Sequence, residues 1–300
     1  AHEAAAAGNT AVLQWIFTTD KLNDAVVTRD AVSGATIAHI AARYNRLNVL
    51  RWLATAPARI SALLTTPRDD GWTIAHEAAA GGHAAVLKWI LSASQLGSEL
   101  LLRRSNDGVT IAHTASGNSR IEALQWIADS TALGVPCLTA VRNDGWTIAH
   151  EAAAAGTVSA LDWMLSAAQL GRDFLKRQAN DGATIAHAAA SNNRIEALRW
   201  IVSARGFASS VLGKSRLDGR TIAHEAAAAG HPNVLKWILE AQELGAELLK
   251  RQANDGATIA HAAARSNRLT VLQWIANTPA LGVAFLTTLG KGRWTIAHEA

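Results

Sequence analysis

Cysteine occurs once in this 300-residue chain, at Cys137, so an intrachain disulfide framework and a metal site built on several thiolates are both excluded. A single cysteine is compatible with a reducing compartment such as the cytoplasm. Proline is scarce at five residues, tyrosine occurs only at Tyr44, and charged residues make up 17% of the chain. The formal net charge of +4 is too small a surplus to call for a polyanionic partner, so no nucleic acid is expected. No run of about 18 apolar residues appears, and no membrane span is expected. The chain opens Ala1-His2-Glu3, without the basic and apolar regions of a signal peptide. What it has in quantity is hydrophobic residues (49%), alanine above all, and eleven tryptophans. That is enough apolar material for a continuous core, and the bias toward one aromatic type asks for a positional explanation.

The explanation is a repeat. Thr-Ile-Ala-His places histidines at His39, His76, His113, His150, His187, His224, His261 and His298, and His2 extends the series backward, each step being 37 residues. Tryptophan keeps the same step at Trp15, Trp52, Trp89, Trp126, Trp163, Trp200, Trp237 and Trp274. The chain therefore divides into repeats 1–37, 38–74, 75–111, 112–148, 149–185, 186–222, 223–259 and 260–296, with 297–300 opening the next. Along one unit, taken from Asp70 onward, Thr73 is a natural N-cap, the Ala-rich stretch a short helix and Gly82 its left-handed stop. Val86, Leu87, Ile90 and Leu91, with Trp89, have helical spacing for a second helix. A third apolar cluster, Leu96, Leu100 and Leu101, precedes the tight-turn triplet Asn106-Asp107-Gly108. Two short helices and a turn cannot bury their own apolar face, so the units must stack into an all-α helix-turn-helix solenoid.

The string Asp-Gly-x-Thr-x-x-His-x-Ala-Ala-x-x-Gly-His-x-x-Val-Leu-Lys, at Asp70 to Lys88 and again at Asp218 to Lys236, resembles the ankyrin repeat. The likeness covers the whole chain, with Ile-Ala in place of Pro-Leu throughout and four extra residues after the Trp helix, in stretches such as Gln95 to Arg104. Asp-Gly becomes Ser33-Gly34 in one turn and Gly292-Arg293 in another. The resemblance implies structural roles for Thr73/His76, Thr147/His150, Thr221/His224 and their equivalents. The threonine would cap the first helix, and the imidazole would bond to backbone between neighbouring loops.

Several residues look chemical but lack the partners that chemistry needs. One histidine per repeat places neighbours about 10 Å apart, too far to share an ion whose bonds are about 2 Å long. His76-Glu77 and His224-Glu225 begin like a zinc-protease helix, yet Ala80 and Ala228 stand where its second histidine belongs. Gly213-Lys214-Ser215 ends like a phosphate-binding loop, but Gly206 is wrongly spaced and no strand pattern precedes it. Cys137 falls in phase with Phe174, Leu248 and Phe285, a core position. No catalytic set, cofactor or metal is expected. The Trp52, Trp89, Trp126, Trp163, Trp200 and Trp237 ladder, flanked by apolar neighbours, is expected in the core. Trp72, Trp146 and Trp294 lie beside turn tips and are candidate surface contacts.

A two-repeat rhythm overlies the first. Trp72, Trp146 and Trp294 share a phase with Arg220, in alternate repeats. Glu77, Glu151 and Glu225, with Glu3 and Glu299, follow every second histidine. Arg46, Arg120, Arg194 and Arg268 occupy alternate helix–helix loops, and Arg29, Arg103, Arg177 and Arg251 precede alternate turns. Duplication of a two-repeat ancestor and a partner with a matching period both account for this alternation. The charged rows are candidate surface contacts, able to pair copies side by side. Neither terminal repeat carries a polar cap, so 1–300 is expected to be one uncapped array within a longer chain. The expected function is non-catalytic: a structural scaffold, as a long array or self-associating filament, or alternatively a discrete protein-recognition module. The partner is protein in either case, another copy or a different chain.

Overall fold

The computed structural model describes residues 1–19, 32–204, 206, 208–241 and 244–299. Two compact units are present, Ala1–Asn143 and Asp144–Ala300. Each is a stack of the same helical repeat. First helices run His2–Ala7, Ile37–Arg43, Ile74–Gly81 and Ile111–Gly117 in one unit, and Ile148–Ala155, Ile185–Ser191, Ile222–Ala229, Ile259–Arg265 and Ile296–Glu299 in the other. Second helices run Thr10–Thr18, Leu47–Thr55, Ala84–Ser92 and Ile121–Asp129, then Val158–Ser166, Ile195–Ser203, Pro232–Glu240 and Leu269–Asn277. Helices this short are marginal alone, so packing against neighbours sustains them.

The first helices start where threonine demands it. Thr73 is the N-cap of Ile74–Gly81, and His76 at the third helical position completes a reciprocal capping box in place of the more usual Glu or Gln. Gly82 ends that helix at φ 76°, a left-handed conformation that side chains resist. Alternate repeats stop differently: Asn45, Ser119, Asn193 and Asn267 take positive φ one residue beyond the cap. Alanine allows close approach, and Ala75, Ala78, Ala79, Ala112 and Ala115 are fully buried between successive first helices.

The four additional residues have a structural purpose that the sequence pattern left open. The third apolar cluster is itself helical, at Gly97–Leu102 and Gly134–Thr139 in one unit and Gly171–Leu175, Ala208–Leu212, Gly245–Lys250 and Gly282–Leu286 in the other. Leu100 and Leu101 are buried on the preceding second helix. Among the described residues, these repeats are thus helix-turn-helix followed by a short further stretch of helix, which in the second repeat is Ala58–Ser61 continued by the 3-10 turn Ala62–Leu64.

The turn tips are stitched by backbone. Asn106 donates its N–H to the Asp70 carbonyl at 2.9 Å, Asn180 to Asp144 at 2.9 Å, Leu217 to Asp181 at 2.8 Å and Asn254 to Asp218 at 2.8 Å. Glycine is required beside the aspartate for two reasons. Gly145 has φ 86°, and a Cβ there would lie 2.6 Å from the Asn180 nitrogen.

Candidate functional site

The histidine row is a seam between repeats. The Thr73 backbone N–H donates to Nδ1 of His76 at 3.2 Å, so Nδ1 is an acceptor and the proton sits on Nε2, which donates to the Val109 carbonyl of the next repeat at 3.0 Å. His39 reaches the Trp72 carbonyl, His150 that of Ala183, His187 that of Arg220, His224 that of Ala257 and His261 that of Trp294. The Thr110 backbone N–H donates to Nδ1 of His113 in the same way, at 3.4 Å. Burial disfavours the imidazolium: it pushes His39 and His187 down to about 4 and lowers His76, His150 and His224 as well. In these five both ring nitrogens are committed and the ring is neutral, which suits a fixed bond and not proton transfer.

The tryptophan row differs from its expected place. Trp200 is buried, 8% exposed, whereas Trp52, Trp89, Trp126, Trp163 and Trp237 are half-buried. The reason is angular. On Ala84–Ser92 the buried residues are Val86, Leu87 and Ile90, and Trp89 falls about 60° beyond the edge of that arc. Trp52 and Trp200 show what that flank meets, the second helix of the preceding repeat. Trp52 meets Phe17 with ring centroids 6.0 Å apart, and Trp200 Nε1 donates to Asp162 at 2.5 Å. Trp15, with no described repeat before it, is 62% exposed.

The charged rows also hold repeats together. Glu77, expected at the surface, is buried, because Arg43 of the preceding repeat binds it at 2.8 Å and Arg68 of the adjoining turn at 2.7 Å. A carboxylate clamped by two guanidiniums can leave water at a cost that the hydrogen bonds offset. Glu225 is likewise enclosed, by Arg216 at 3.1 Å and Arg220 at 3.5 Å, and Glu151 is half-buried. Arg46 donates Nε to the Ala6 carbonyl at 2.7 Å, Arg120 to Ala80 at 2.8 Å, Arg194 to Ala154 at 3.0 Å and Arg268 to Ala228 at 3.0 Å. Each stem crosses the left-handed glycine that ends the previous repeat's first helix, where Arg194 Cδ would lie 3.0 Å from a Cβ on Gly156. Arg103 and Arg251 bond the carbonyls of Thr65 and Gly213, and Arg177 lies over Phe174, while Arg29 is outside the described residues.

Of the tryptophans at the turn tips, Trp72 stacks on His76 and carries Arg68 over its face at 5.2 Å. Trp146 packs on His150, and Trp294 is 51% exposed. Cys137 is buried, and burial pushes its thiol up to about 11, which makes it unreactive near neutral pH. Two sets of residues escaped the sequence reading. His83 and His231 bond the carbonyls of Arg43 and Ser191, replacing the loop arginines in alternate repeats. Arg68, Arg142 and Arg216 recur every 74 residues, nine before each glutamate, a spacing that could have marked them.

The family model for ankyrin repeats, in three copies, matches residues 1–101 and 168–248. No curated protein matches the chain. Stacked short helices, a threonine–histidine capping box on the first helices from Ile37 to Ile259 and that match agree: the chain belongs to the ankyrin-repeat family.

Proposed function

We propose that this chain is a non-catalytic scaffold that binds partner proteins through the exposed residues that break its repeat. The observation that carries the reading is that the periodic polar side chains are committed to neighbouring repeats: the histidines to carbonyls, the loop arginines to helix ends, Glu77 to two arginines. What is uniform holds the stack, so specificity falls to positions that differ. Tyr44 is such a position, exposed where Asn118, Asn192 and Ser266 stand elsewhere. Leu217 is another, 73% exposed on a tip where Asp69, Asn106, Asn143, Asn180, Asn254 and Lys291 stand in other repeats and Val32, 91% exposed, is the other apolar residue in that phase. Protein suits this surface better than nucleic acid, since the arginines bond carbonyls and carboxylates of their own chain. The test is in-cell crosslinking with the wild-type chain and with Tyr44→Asn/Leu217→Asn. The double variant keeps its thermal midpoint and loses the captured partner; retention of the partner refutes the assignment.

A second reading, the long array or self-associating filament, draws on the unbroken 37-residue spacing of the histidine and tryptophan rows, since identical seams let further units of the same kind continue a stack. Sedimentation over a wide concentration range tests it. Growing species support assembly, and a constant monomer removes it.

A further inference from the structure

The 74-residue series Arg68, Arg142, Arg216 ends at Gly290. Where the arginine is present, its surroundings are built for it. Arg216 bridges Asp181 at 2.6 Å and Glu225 at 3.1 Å, and Arg68 binds Glu77 at 2.7 Å while lying over Trp72. Those surroundings recur one step later without the arginine. Asp255 stands in the phase of Asp181, Glu299 in that of Glu77 and Glu225, and Trp294 in that of Trp72. Between them is a cavity of about 340 Å³, which Gly290, Lys291, His261 and Arg265 also line.

Arg265 takes only part of the missing place: it binds Glu299 at 2.7 and 2.8 Å, the position that Arg43 takes on Glu77, and stands 3.9 Å from Asp255, outside hydrogen-bond reach, whereas Glu77 accepts Arg68 in addition to Arg43. Among the described residues no guanidinium lies over the Trp294 ring, which is 51% exposed.

We propose that this cavity is a recognition pocket for an arginine side chain presented by a partner protein. The proposal rests on the reading of the chain as a protein-binding scaffold and names the chemistry of one anchor. The guanidinium would lie on Trp294, donate to Glu299 and Asp255, and so repeat the arrangement of Arg68 and Arg216 in trans.

The experiment uses the indole N–H signals of the ¹⁵N-labelled chain, with Trp294 assigned by Trp294→Phe. The titrants are a blocked Gly-Arg-Gly tripeptide, its citrulline counterpart, which has the same shape without the charge, and free L-arginine. The arginine tripeptide is expected to shift Trp294 at millimolar concentration. Citrulline should bind at least about tenfold more weakly, as should the arginine tripeptide to Glu299→Gln. Free arginine should bind no better than the tripeptide. Gly290→Arg supplies the pocket with its own guanidinium and should abolish the shift. That variant is sterically open, since Gly290 has φ −73° and a Cβ there meets nothing closer than 3.7 Å. Helical circular dichroism verifies that each variant is folded. Equal binding of citrulline, binding that survives Gly290→Arg, or no shift at all overturns the pocket, and markedly tighter binding of free arginine overturns the protein partner. None of these results bears on crosslinking through Tyr44 and Leu217, which tests the scaffold separately.

Discussion

Within each unit the repeats meet along two seams, and both have the same 37-residue spacing for different reasons. Along the first helices the joint is polar and sealed: a buried threonine, a neutral imidazole and a carbonyl of the next repeat, with the ring held at both nitrogens. Along the second helices the joint is the flank of a tryptophan laid on the preceding helix, sealed at Trp200 and half-open at Trp89. Regular recurrence therefore marks a residue that touches the neighbouring repeat, not one that is buried. The first seam tolerates little, because each group withdrawn from water needs its partner. The second loses contact area by degrees.

Acid should separate the seams most sharply. His39 and His187 titrate at about 4 when folded against 6.5 in an open chain, so the unfolded state binds more protons between those values and stability falls as pH falls through that window. At roughly 3 kcal/mol for each such histidine, the loss approaches the stability of an ordinary domain, and the chain should be largely unfolded by pH 4. Urea midpoints from pH 7 to 4 measure this, and a flat profile would contradict a neutral, doubly bonded ring. Next in size is the contrast within the second seam. Trp200→Ala should cost about 3–5 kcal/mol and Trp15→Ala less than about 0.5 kcal/mol, and equal losses in chemical denaturation would mean that coverage by the preceding helix is not what holds the ring.

Thr184→Val keeps shape and removes the hydroxyl that meets His187 Nδ1 at 3.0 Å and the Val211 carbonyl at 3.1 Å. A loss of about 2 kcal/mol is expected by calorimetry, with a neutral result placing the strength of the seam in the backbone N–H alone. The smallest effect belongs to the helix stops. Gly156→Ala should cost about 1–2 kcal/mol from its left-handed backbone, and Arg194→Ala in the same chain should relieve the crowding on that Cβ but not the backbone term. Thermal midpoints of the two single variants and the double variant separate these contributions.

Much of this was legible in the residues. The period, the threonine caps, the left-handed stop at Gly82 and the turn glycines all follow from rules acting over a few residues, and the structural role of the histidines came with the family resemblance. The third helix was harder, because Leu96, Leu100 and Leu101 form a cluster too short for a helical period to declare itself. Alternation of charge says nothing about depth, so it suggests a surface place for Glu77, which the fold buries. Its partners, Arg43 and Arg68, lie 34 residues before it and nine before it.

The sequence by itself therefore determined the repeat, its local caps and turns, and the need to stack, since hydrogen bonding and steric limits within one repeat depend on near neighbours. Only the tertiary structure decided which polar groups face a neighbour and which face water. That choice depends on side chains 33 to 40 residues apart meeting across a seam, as His76 meets Val109 and Arg120 meets Ala80. It also turned one missing arginine, at Gly290, into a cavity, because an empty place exists only where its walls have been brought together.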